Sequence, residues 1–246
     1  MAGDSPQNQE LRWPKRVKTA GGAVRFIDAA GFCMLFPVNH VALPSLYYAV
    51  ARRLPARWDK SAELIWGWKD ALPRKRRAFY AKYFKTRGTF ISLKLLPNFL
   101  AMRESAAAPG EAADFYAAGR ITSDARAIWE ALAKHSPLAT LELRHACKME
   151  TQAGNVRFKK AMLELQCLLI VTHFGAEQET QAWASNRFEL VSRAFPEQFD
   201  EARRIPPDAA RSVLARKYCA LYPDASVIRL ARLFGWSRAQ AETALE

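Results

Sequence analysis

Asn155-Val156-Arg157-Phe158-Lys159-Lys160-Ala161-Met162-Leu163-Glu164-Leu165-Gln166-Cys167, followed almost at once by Leu169-Ile170-Val171-Thr172-His173-Phe174, is the stretch whose reading decides the fold. Phe158, Ala161, Met162 and Leu165 recur at i, i+3, i+4 and i+7, the period of one helix face. The second run is β-branched and aromatic and reads as a strand. Working outward, a polar tip at residues 175–181 leads to a second strand at 183–190. Upstream, Ser123 reads as the N-cap of a helix to about Lys134, with Ile128, Ala131 and Leu132 inward. A turn at 136–140 ends in Thr140, a second cap, before a helix at 141–148 and a polar turn at 150–154. Three helices followed by a β-hairpin is the order of a winged helix. Its core should hold Phe158, Met162 and Leu165 against Ile128, Leu132 and Leu143, with Ile170 and Phe174 from the hairpin.

The flanking sequence reads as more helix with short strands. Residues 19–30 form a first helix stopped at Gly31, and 32–38 is an apolar run ending near Pro37. Residues 44–54 read as a helix, as do about 59–72, capped by Asp59 or Ser61. Pro73, suited to a first helical turn, opens another helix to about Lys85. Gly88 breaks it, 89–93 is β-rich, and 97–103 returns to helix. Pro109-Gly110 marks the linker. Helices are expected at 207–221, 224–234 and 238–245. The expected fold class is mainly α with small β-hairpins, arranged as tandem winged-helix-like units. The divisions are a disordered or extended tail at 1–18, a basic winged-helix-like region at 19–105, a linker at 106–119, a winged-helix domain at 120–195, and a C-terminal helix-turn-helix-like region at 196–246.

Charge is distributed unevenly. Residues 1–100 carry eighteen Lys/Arg against six Asp/Glu, whereas the remaining 146 residues carry nineteen against eighteen. Clustered cations attract polyanions and release their counterions on contact, so nucleic acid is the first partner to consider. The densest stretch holds Lys69, Arg74, Lys75, Arg76, Arg77, Lys82, Lys85, Arg87 and Lys94 against the single acid Asp70. A solvated face mixes signs; this one does not, which favours phosphate contact. Arg157 and Lys160 lie on the third helix of the winged unit, where a polar face can enter a major groove. The near-neutral charge of that half leaves a packing scaffold as an equal reading.

Other classes find less support. No apolar run is long enough to span a membrane, and the N-terminus lacks an apolar signal region. Cys33, Cys147, Cys167 and Cys219 form no C-x-x-C pair, and the four histidines show no H-E-x-x-H spacing. No metal, no small-molecule cofactor, and a reducing cytoplasmic location are therefore expected. No P-loop, G-x-S-x-G or dinucleotide turn is present. Asp28, Asp59 and Asp70 are acids of the basic half, and any one could orient water for glycosidic cleavage; Asp70 is the one within the basic stretch.

At Gly31-Phe32-Cys33-Met34-Leu35-Phe36-Pro37, and at Trp66-Gly67-Trp68-Lys69-Asp70 through Arg77-Ala78-Phe79-Tyr80, the chain resembles the AlkZ-related group. It is more distantly similar to the AlkZ/YcaQ-type winged-helix DNA glycosylases, which unhook crosslinked or bulky alkylated bases. Lys69 and Asp70 stand where the glycosylase pattern W-x-H-E-A-x-x-L-P has His and Glu. The resemblance implies tandem winged helices with a basic DNA-binding face. It also implies a catalytic Gln-x-Gln or Gln-x-Asp pair soon after the first helix. Here that location reads Phe32-Cys33-Met34-Leu35-Phe36, and Cys33 and Leu35 cannot replace the pair. Gln166 lies in the later unit and is a poor substitute. The expectation is a DNA-binding protein, for duplex DNA and damaged duplex included, without that chemistry. An active glycosylase using Asp70 and a protein-interaction module are the alternatives.

Overall fold

The computed structural model describes Trp13 and residues 15–102, 112–178 and 184–246. The first part of the tail, residues 103–111 of the linker region, and the hairpin tip at 179–183 lie outside the described residues. Among the described residues no helix is long and apolar enough to cross a membrane.

The basic half builds the first unit. Helix α1 (Ala20–Ala30) starts at Thr19, whose hydroxyl accepts from the Gly22 N–H at 3.1 Å. It stops at Gly31, where φ is +82° and the N–H donates to the Ile27 carbonyl. The chain then forms β1 (Phe32–Met34), α2 (Leu46–Ala51), α3 (Lys60–Arg74), β2 (Phe79–Lys82) and β3 (Gly88–Ile91). The strands make an antiparallel sheet in the order β1-β3-β2. Side chains alternate across it. Phe32, Met34, Phe79, Ala81 and Ile91 enter one core, while Cys33, Tyr80 and Phe90 enter another beneath α1–α3. Both faces are therefore covered, which is why these strands read as continuous apolar runs and not as alternation.

After α4 (Leu96–Ala101) and α5 (Ala112–Ala117) comes the second unit: α6 (Ser123–Lys134), β4 (Leu138–Ala139), α7 (Thr140–Ala146), α8 (Gln152–Cys167), β5 (Val171–Gln178) and β6 (Ala184–Leu190). Its sheet runs β4-β6-β5. The two units share one plan: helix, strand, two helices, hairpin, with the first strand joined to the third. The core of the second holds Ile128, Leu132, Leu143, Phe158, Met162, Leu165 and Ile170, as expected.

The chain then returns to the first unit through α9 (Val191–Ala194), α10 (Pro196–Ala202), α11 (Pro207–Leu221), α12 (Val227–Phe234) and α13 (Arg238–Thr243). Tyr218, Tyr222, Leu230 and Phe234 cover the sheet face that α1–α3 leave open. Phe234 meets Phe32 and Phe84 at ring-centroid distances of 5.8 and 5.5 Å.

Several expectations need correction. The helix expected from Pro73 to Lys85 does not form. Pro73 closes α3 instead, and the Arg77 N–H donates back to the Leu72 carbonyl at 2.9 Å. Phe79-Tyr80-Ala81 then extends as strand because each face of the sheet has an apolar core waiting for it. Phe174 packs on the first unit's core, since the period-2 alternation turns it away from the core of the second. Thr122, not Ser123, caps α6. Thr140 is the first residue of α7 and not its cap; its hydroxyl bonds the Asn186 carbonyl, and Glu142 accepts the Ala139 N–H at 2.7 Å. Within the expected linker, α5 is ordered against the second unit, with Phe115 edge-on to Trp129 at 5.2 Å.

Candidate nucleic-acid interface

Helix α3 organises the region. Asp59 caps it, its Oδ1 accepting from the Ala62 N–H at 2.9 Å while Oδ2 accepts from the Tyr47 hydroxyl and the Arg53 guanidinium. These bonds, the backbone one foremost, outweigh burial and hold its carboxyl down at about 2.

Near its other end, α3 carries Lys69 and Asp70 into contact with the β5–β6 hairpin. Lys69 Nζ lies 2.6 Å from Asp70 Oδ1 and donates to Asn186 Oδ1 at 3.3 Å. His173 Nε2 lies 2.5 Å from the same carboxylate oxygen. Burial, flanked by Tyr80 and Phe188 edge-on at 5.6 and 5.8 Å, pushes the His173 imidazole down to about 4, against the pull of Asp70. The ring is thus neutral at pH 7. An imidazole nitrogen that close to a carboxylate must carry the proton, so Nε2–H donates to Asp70. The Lys69 ammonium, 3.2 Å from that nitrogen, is then a packing neighbour. Burial draws Lys69 below its ordinary value, with Asp70 opposing. Burial raises Asp70, but His173 and then Lys69 outweigh it and keep the carboxylate ionised. Asp70 keeps about a quarter of its side chain exposed, at 24%.

Lys69 was expected among the phosphate contacts, yet it is 3% exposed and faces this cluster. His173 and Asn186 had no sequence signal as members of the cluster, because they reach Lys69 across more than a hundred residues. Further bonds join the two units along the β2 edge. The Lys82 N–H donates to Gln166 Oε1 at 3.0 Å, and the Thr172 hydroxyl donates to the Tyr80 carbonyl at 3.0 Å. They satisfy groups that an edge strand would otherwise leave open.

The remaining cations of the basic stretch stay at the surface. Arg74 ends α3 and Lys75, Arg76 and Arg77 occupy the turn before β2, while Lys82, Lys85 and Arg87 lie at its far end. The two groups are separated by the length of the strand, roughly 10 Å. Among the described residues none of the seven makes an ion pair with a carboxylate; Lys85 bonds the Arg232 carbonyl at 3.2 Å. On α8, Lys160 is exposed, whereas Arg157 is tied to Asp124 of α6.

At the position where the resemblance implies a catalytic pair, Cys33 and Leu35 are buried in the core under α1–α3, and burial raises the Cys33 thiol well above its ordinary range. Among the described residues no group of three or more His, Cys, Asp and Glu side chains is placed to hold a metal ion.

No curated protein matches the chain at a significant level. Among solved structures it is similar to the Streptomyces sahachiroi DNA glycosylase AlkZ, with a TM-score of 0.52 and 13% identity, over 96% of this chain and 65% of that one. The chain thus spans a little under two thirds of the length of that structure. The family model described as AlkZ related matches residues 17–235. With that match covering most of its length, the chain belongs to the AlkZ-related family.

Proposed function

We propose that this AlkZ-related protein binds DNA through two winged-helix units and lacks the base-excision chemistry of the glycosylases it is similar to. The observation that carries the reading is the set of exposed cations at both ends of β2, free of carboxylate partners among the described residues. An acid beside each would hold the charge in the protein; without one, the charge is available to phosphates. The repeated helix–strand–helix–helix–hairpin plan supports the winged-helix assignment, in which β2–β3 and β5–β6 are the wings. The buried Cys33 and Leu35 support the loss of catalysis, because an apolar wall cannot stabilise a cationic sugar or hold an attacking water.

The test is binding of a labelled duplex to the full chain at two salt concentrations, about 50 and 200 mM. Binding should weaken steeply with salt. Arg74→Glu combined with Arg77→Glu should weaken it further and flatten the plot of log K against log salt by about 0.9 for each phosphate that is no longer neutralised. Unchanged affinity in the double variant, or salt-independent binding, refutes the interface and favours a protein-interaction module. A glycosylase reading that uses Asp70 has one observation behind it, a carboxylate that is ionised and partly exposed. It predicts release of bases from alkylated DNA, abolished by Asp70→Asn.

A further inference from the structure

The solvent side of α3 carries features that neither the core nor the phosphate contacts explain. Trp66 is 43% exposed and Trp58, on the loop before the helix, is 59% exposed. Their rings meet edge to face at 5.5 Å, so the two large side chains hold each other in place while standing in water. The buried Lys69 ammonium backs Trp66, 4.6 Å from its ring centroid. Beside Trp66 the helix is bare. Gly67 lies mid-helix with a negative φ, and a Cβ there would touch nothing within 4 Å. Neither backbone geometry nor packing requires glycine at this position, although glycine weakens a helix interior. A ligand approaching the backbone would require it.

One turn on from Trp66 is Asp70. Its Oδ1 is taken by Lys69 and His173, while Oδ2 has no partner among the described residues. Charges of both signs surround it, with Glu63 exposed one turn before Gly67. Arg57 and Lys60 are exposed around Trp58, and Arg74 to Arg77 follow Asp70.

We propose that this face takes an unpaired nucleobase of single-stranded DNA, stacked on Trp66 and bordered by Trp58 over the bare Gly67 backbone, with an N–H of its pairing edge donated to Asp70 Oδ2. The inference rests on the DNA-binding reading above and names a second mode of it. A carboxylate acceptor repels a phosphate but accepts from the N–H that every base offers on its pairing edge. Flat aromatic surfaces suit a base face, which a duplex hides and a single strand exposes. The flanking cations then lie where the backbone leaves the stacked base in either direction.

The experiment measures the full chain against a labelled single-stranded oligonucleotide and against its duplex, for the wild type, Trp66→Ala and Gly67→Leu. Both positions are exposed, and circular dichroism melting should show no loss of stability for Gly67→Leu. Stacking on an aromatic side chain predicts a roughly 5- to 150-fold loss of single-strand affinity for Trp66→Ala. Gly67→Leu should also lose at least about fivefold by covering the backbone, with duplex affinity changed by less than about twofold in both. Single-strand affinities within about twofold of wild type, or equal losses on both DNA forms, overturn the inference. If the wild type binds duplex normally and these variants change nothing, only this inference fails. If it binds neither form, the DNA-binding reading fails with it.

Discussion

Between pH 6.5 and 4, acidification should destabilise this protein through His173. His173 is buried between Tyr80 and Phe188, and its imidazole titrates at about 4 against an ordinary 6.5. The unfolded chain therefore takes up a proton near pH 6.5 that the folded protein accepts only near 4. Stability from the neutral ring is complete above pH 6.5, falls as pH drops through the interval, and is gone below 4. A gap of that size corresponds to about 3 kcal/mol at 1.36 kcal/mol per unit. The groups facing the ring are Asp70 and Lys69 from α3 and Tyr80 from β2. Asp70, held below its ordinary value, loses stability in the same direction at still lower pH. The assay is urea unfolding at several pH values between 7 and 4, for the wild type and His173→Gln. The variant should be less stable at pH 7 and should lose less on acidification, by about 3 kcal/mol in the difference of the two profiles. An NMR titration would locate the ring directly, its signal identified by its absence in the variant. Parallel profiles, or a His173 signal that titrates at 6.5 or above, would refute the reasoning.

Three other outcomes follow from packing and chemistry. Phe158→Ala removes a side chain that is 3% exposed in the second core, and calorimetry or urea unfolding should register a loss of about 3–5 kcal/mol. Gly31→Ala forces an L residue to φ +82° against Leu95 and Lys217, and should cost about 1–3 kcal/mol in the same assays; a variant as stable as wild type would show the turn relaxing. Incubation with DNA carrying alkylated purines or an interstrand crosslink should yield no abasic sites; turnover that disappears in Asp70→Asn would make Asp70 a catalytic acid or base.

Local signals carried much of the fold. The period of Phe158, Ala161, Met162 and Leu165 determined a helix and its buried face, and the cap at Asp59 with the stop at Gly31 set helix ends within a few residues. The charge asymmetry of residues 1–100 was plain from composition alone. What the sequence could not carry was any choice that depends on distant partners. Phe79-Tyr80-Ala81 is compatible with helix or strand. It becomes strand because α1–α3 and the C-terminal helices supply a core on each side of it. Lys69 reads as one more surface cation, yet it is turned inward because the Asp70 carboxylate and the Asn186 side-chain carbonyl compensate its charge, and Asn186 comes from a hairpin more than a hundred residues later. Periodicity and capping act within a few residues and can be read along the chain. Desolvation and pairing of a charge depend on which surfaces meet, and only the folded protein decides that.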